Sequence, residues 1–170
     1  MVKYIKDETT VVFSEIPDEI TLAINISNCP HHCKGCHSPY LRKNIGDELT
    51  NDVLDELIEK NEGITCVLFM GEGNDIQDIL DLAVHVHLKG LKVGIYCGTF
   101  DVDERFWNVF DYLKLGEYIE ELGPLNKETT NQRLYQFDMK WKVDEIKNGI
   151  KSEHMGWKDI TYKFWKKNIG

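Results

Sequence analysis

The sequence predicts an α/β domain built on a mostly parallel sheet. Two observations carry this. Apolar or β-branched runs at residues 20–27, 65–70 and 91–97 read as strands, and residues 51–60 and 76–89 between them carry apolar side chains at helical spacing. Strand, helix, strand, helix, strand is the order of parallel βαβ units, because parallel neighbours need a crossover. In such sheets ligands bind outside the carboxyl ends of the strands, so the loops that follow each strand are where function is expected.

The first strand is Ile20-Thr-Leu-Ala-Ile-Asn-Ile-Ser27, and a cysteine-rich loop follows from Asn28 to about Tyr40. Thr50 can cap a helix over residues 51–60, with Val53, Leu54, Leu57 and Ile58 on one face. Residues 65–70 form a buried strand that ends in Gly71-Glu-Gly-Asn-Asp75. A second helix covers about 76–89, with Ile76, Ile79, Leu80, Ala83 and Val84 facing inward and Gly90 stopping it. The third strand, residues 91–97, closes at Gly98. Residues 103–110 read as a short helix, 112–115 and 132–138 as strands, and 159–168 as a terminal helix. The polar stretch 140–155 reads as a surface insertion.

With 170 residues, 42% of them hydrophobic, the chain suits a single domain over 1–170. A net charge of −9 argues against nucleic acid as a partner, since that binding rests on neutralising phosphates. No stretch reaches the ~20 apolar residues of a membrane span. The polar first ten residues lack the apolar segment of a signal peptide, so a cytoplasmic location is expected. In that setting closely spaced cysteines point to metal or redox chemistry rather than disulfides.

Cys29-Pro-His-His-Cys33-Lys-Gly-Cys36 has the spacing C-x3-C-x2-C. Three thiolates within eight residues can converge on one side of an iron–sulfur cluster, which soft sulfur ligands suit. A [4Fe–4S] cluster has four iron corners, so one would stay open to a ligand. Cys66 and Cys97 fall in predicted core strands and read as buried, inert thiols. Two other readings stand beside this one. A structural zinc could take the three cysteines with His31, His32 or His37, although zinc commonly adds a distant second cysteine pair that this chain lacks. Alternatively Cys33-Lys-Gly-Cys36 could be a redox dithiol, which leaves Cys29 without a role.

The cysteine spacing after a first strand resembles the radical S-adenosylmethionine superfamily. The form Cys29-Pro-His-His-Cys33-Lys-Gly35-Cys36 is similar to that of the activating proteins of anaerobic ribonucleoside-triphosphate reductases. Glu15-Ile-Pro-Asp-Glu-Ile-Thr-Leu-Ala-Ile-Asn25, His37-Ser-Pro-Tyr-Leu41, Tyr96-Cys-Gly98, Lys114-Leu-Gly-Glu-Tyr-Ile-Glu-Glu-Leu-Gly-Pro-Leu125 and Thr130-Asn-Gln-Arg133 extend the likeness over most of residues 10–137.

The resemblance implies a [4Fe–4S] cluster on Cys29, Cys33 and Cys36, with S-adenosylmethionine bound at the open iron. An electron from a flavodoxin-like donor would then give methionine and a 5′-deoxyadenosyl radical, which takes hydrogen from a glycine in the large reductase subunit. It also implies that backbone atoms at Gly35 and His37 meet the adenine. Gly71, Glu72, Gly73, Asn74 and Asp75 stand where the family's Gly-Gly-acidic motif receives the methionyl amino group. Here the glycines are split, and either Glu72 or Asp75 could be the acid. A plain turn with Asn74 or Asp75 capping the next helix is the other reading. Asn131-Gln-Arg133 would shape the pocket or the partner surface, or simply open a strand. Trp141, Trp157 and Trp165 are expected on the core.

The implied fold is an incomplete βα barrel of the radical S-adenosylmethionine type, since 170 residues are too few for a full barrel of about 250. Its open side would admit a protein substrate. The alternatives are activation of a pyruvate formate-lyase-like partner, another small enzyme of the superfamily such as a queuosine-type synthase, or a non-catalytic zinc or cluster module.

Overall fold

In the computed structural model, residues 1–30 and 38–165 are described. The elements run β1 (Lys3–Tyr4), β2 (Thr10–Val12), β3 (Thr21–Asn25), β4 (Asp47–Glu48), α1 (Asn51–Lys60), β5 (Cys66–Met70), α2 (Ile76–Leu88), β6 (Lys92–Cys97), α3 (Phe106–Val109), β7 (Tyr112–Leu115), β8 (Arg133–Phe137), α4 (Met139–Lys147) and β9 (Trp157–Asp159). Short 3-10 turns cover Lys6–Glu8, Pro39–Arg42 and Thr161–Phe164.

The main sheet has seven strands in the order β2-β3-β5-β6-β7-β8-β9. Its centre, β3-β5-β6-β7, is parallel. β2 joins one edge antiparallel, and β8 and β9 extend the other edge antiparallel. The sheet is open, and this corrects the expected incomplete barrel of mostly parallel strands: no barrel is closed, and half of the strand pairings are antiparallel. The cause lies in the connections. Only α1, α2 and the one-turn α3 make crossovers between parallel neighbours. The chain then returns through residues 116–132 to lay β8 against β7 in the opposite sense, which needs no crossover helix.

The central strands are buried because alternate residues feed different sides. Val67 and Phe69 of β5, with Val93 and Ile95 of β6, join Leu54, Ile79, Ala83 and Phe106 from the helices. Cys66, Leu68, Tyr96 and Tyr112 point the other way, into a smaller core with Ile16, Leu125, Leu134 and Ile160. A strand buried on both faces reads as a continuous apolar run, which is why 65–70 and 91–97 stood out.

Helix α1 starts as expected, the Thr50 hydroxyl accepting from the Val53 N–H at 3.2 Å. Val84 of α2 departs from the expected inward face: it is 46% exposed. Two further expectations change. The 140–155 stretch is no featureless insertion but contains α4, capped by Asp138. Of the expected terminal helix over 159–168, Asp159 ends the edge strand β9, which pairs with β8, Thr161–Phe164 make a single 3-10 turn, and residues 166–168 lie outside the described residues. The N-terminal residues supply two strands. Among the described residues no helix is long and apolar enough to cross a membrane.

Candidate functional site at the carboxyl edge of the sheet

Parallel register brings Asn25 beside Met70, and Cys97 beside Leu115, so the carboxyl ends of four strands form one rim. A cavity of about 250 Å³ opens there. Its walls include Cys29 and Ser38 from the cysteine loop, Met70 and Gly71 after β5, Tyr96 and Cys97 from β6, and Lys114 from β7.

The base of the cysteine loop is tied. Asn28 adopts a left-handed backbone (φ 61°), and its N–H donates to the Lys43 carbonyl at 2.9 Å. The Cys29 N–H donates to the Leu41 carbonyl at 2.8 Å. Ser27 anchors the same bend, its hydroxyl donating to the Ile45 carbonyl. Cys29 is half-buried at the cavity wall. His31, His32, Cys33, Gly35, Cys36 and His37 lie outside the described residues. Cys29 and Ser38, which both line the cavity, stand close to either end of them.

The 71–75 loop separates into distinct tasks. Gly71 (φ 125°) and Gly73 (φ 63°) pass so close to Ile26 that a side chain would meet its carbonyl oxygen at 3.3 Å or its Cγ2 at 3.2 Å. Glu72 is buried, 8% exposed, and its carboxylate lies beside the Cys97 thiol, whose pKa it helps to raise. Asn74 is exposed. Asp75 caps α2, accepting from the Asp78 N–H at 3.1 Å, and pairs with the Met1 ammonium at 2.9 Å, which holds its carboxyl below the usual range. The capping reading therefore describes Asp75, and Glu72 is the acid beside Cys97.

Cys66 and Cys97 are buried as expected. Burial pushes both thiols up, and the Glu72 carboxylate adds to the effect at Cys97. A metal binds the thiolate, so these two are poor ligands beside Cys29. Reading Cys97 as an inert core residue nevertheless missed its place on the cavity wall. The signal was available, because Tyr96-Cys97-Gly98 ends a strand at the expected rim.

Tyr96 is fixed by its hydroxyl, which donates to Glu15 at 2.9 Å, and the Lys114 ammonium lies 4.0 Å from its ring centroid. Gln132 is buried beside the cavity and donates to the Gly116 carbonyl at 3.2 Å, so the pocket-shaping reading of Asn131-Gln-Arg133 applies to this residue. Asn131 donates to the Glu117 carbonyl at 3.1 Å, and Arg133 faces Asp159 at 3.7 Å. Arg42 also lines the cavity, and nothing in its sequence context marked it. The wall is thus largely apolar with cationic heads at Arg42 and Lys114. It is suited to a ligand with a flat apolar part and an anionic end.

Trp141 and Trp157 pack on the core as expected, and the Trp165 indole N–H donates to the Leu125 carbonyl at 2.8 Å. No family model matches the chain, and comparisons with curated proteins and with solved structures find no match either.

Proposed function

We propose that this chain is a radical S-adenosylmethionine enzyme that activates a glycyl-radical partner, with the large subunit of an anaerobic ribonucleotide reductase as that partner. The observation that carries the reading is the position of Cys29. The first thiol of the C-x3-C-x2-C motif opens into a cavity where the 71–75 loop and Tyr96-Cys97-Gly98 also meet.

The donor set fits a [4Fe–4S] cluster. Cys29, Cys33 and Cys36 would hold three irons, and the buried thiols Cys66 and Cys97 leave the fourth open. Bound there, the cluster would supply the electron that splits S-adenosylmethionine into methionine and a 5′-deoxyadenosyl radical. This chain's own residues bind and orient the substrate. Glu72, after β5, would accept from the methionyl ammonium. Arg42 and Lys114 give the carboxylate end a cationic wall. Gly35 and His37 would meet the adenine through their backbones, as the family resemblance implies. The apolar walls at Ile26, Leu41 and Met70 limit water near a reactive radical. A flavodoxin-like donor and a cytoplasmic location complete the reading.

The test is anaerobic reconstitution with iron and sulfide, then reduction with S-adenosylmethionine present. Release of 5′-deoxyadenosine supports the chemistry, and a glycyl-radical signal on the added reductase subunit supports the partner. A signal only on a pyruvate formate-lyase-like enzyme would reassign the partner. A colourless protein holding one tight zinc and releasing no 5′-deoxyadenosine would overturn the reading.

A further inference from the structure

Helix α4 presents an uncovered apolar stripe. Met139, Val143, Ile146 and Ile150 are 59%, 39%, 59% and 51% exposed, and no residue of the helix is buried. The spacing of Met139, Val143 and Ile146, four and then three, places them on one line along the helix. The helix ends through a left-handed Gly149 (φ 66°), and the exposed Ile150 follows it, its N–H donating to the Glu145 carbonyl at 2.9 Å.

The other side of α4 is anchored. Trp141 packs on the smaller core with the Lys158 ammonium 4.5 Å from its ring centroid, and Glu145 accepts from the Gly156 N–H and the Ser152 hydroxyl, both at 3.2 Å. The stripe is therefore held outward by the fold.

The charges beside it select the occupant. The positions that edge the stripe hold Lys140 and Lys147 on one side and Lys142 on the other, in a chain of net charge −9. A second copy laid on the stripe, parallel or antiparallel, would set lysines against lysines, which disfavours self-pairing. An anionic membrane would meet a net-negative protein, and the stripe has no aromatic residue because Trp141 is turned inward. We propose that α4 docks an amphipathic helix of a partner protein whose own apolar stripe is edged by Asp and Glu.

The experiment uses the whole chain and a synthetic helix of about two heptads with Leu at the seam and Glu at the edges, beside a twin with Lys at the edges. Amide chemical shifts locate the contact, and a titration gives affinity. The acidic peptide is expected to bind with shifts centred on 139–150, and the basic twin at least about tenfold more weakly. Ile146→Glu should weaken the acidic peptide by about tenfold or more, and Ile146→Gln, a milder change at an exposed site, should weaken it measurably. Lys140→Glu with Lys147→Glu should invert the preference. Equal binding of both peptides, shifts centred elsewhere, self-association abolished by Ile146→Glu, or Ile146-dependent binding to phosphatidylserine vesicles would each overturn the proposal.

Discussion

The Cys97 thiol lies beside the Glu72 carboxylate where β5 and β6 end side by side, both residues are buried, and Cys97 lines the same cavity as Cys29. This pairing singles out Glu72 from the two acids of its loop. Replacing it as Glu72→Gln keeps an acceptor for the thiol but removes the charge that an ammonium would meet. The expected result is about tenfold weaker binding of S-adenosylmethionine, about 1.4 kcal/mol, with iron content unchanged. Equilibrium binding to the reconstituted protein measures it, and unchanged affinity would remove Glu72 from the site.

Asp75 should behave in the opposite way. Its carboxylate caps α2. Asp75→Ala is expected to cost about 1 kcal/mol of stability through the lost cap and to leave S-adenosylmethionine affinity as it was. Denaturant unfolding beside the same binding titration separates the two acids.

The cysteines divide in the same manner. Cys29→Ala, Cys33→Ala or Cys36→Ala should each abolish the brown colour and the release of 5′-deoxyadenosine. Cys66→Ala and Cys97→Ala should retain iron. The two core thiols are buried and held protonated. Iron lost from the Cys97 variant, at unchanged fold, would mean that a fourth thiol belongs to the ligand set.

Much of the rim was legible in the sequence because parallel strands buried on both sides leave continuous apolar runs, and such strands dictate where the loops gather. The cap at Thr50 was legible for the same kind of local reason. What escaped depended on contacts distant in sequence. The strand Thr10–Val12 is three residues long and exists by pairing with β3. β9 exists by pairing with β8 across the α4 segment, and no local pattern marked Trp157 and Lys158 as a strand. The antiparallel return after β7 carries no periodic signal, and with it went the expected barrel. Glu72 and Cys97 each stood out or not by local context alone. Their partnership needed β5 and β6 to lie adjacent.

Helix α1 offers a test of the core. Leu54 is its one fully buried side chain and packs with the main cluster against the sheet. Leu54→Ala should cost about 3 kcal/mol from lost transfer energy and the cavity left behind. Met139→Ala, on the exposed stripe of α4, should change stability by less than about 0.5 kcal/mol. Equal losses in urea unfolding would mean that the stripe is covered within the chain.

Glu19 makes stability depend on pH. Its carboxyl is 8% exposed, Oε2 has no hydrogen-bond partner among the described residues, and Lys92 is 3.6 Å away. Burial raises its pKa above the ordinary 4.5, and Lys92 offsets this only in part. Between 4.5 and the higher native value, the folded state keeps a proton that the unfolded chain has released. Raising the pH through that window therefore lowers stability. Glu19→Gln has no proton to lose, so its urea midpoint should fall less than the parent's as pH rises from acid to neutral. The variant should gain on the parent steadily across the window. Parallel pH profiles for the two proteins would show that Lys92 already compensates the buried charge.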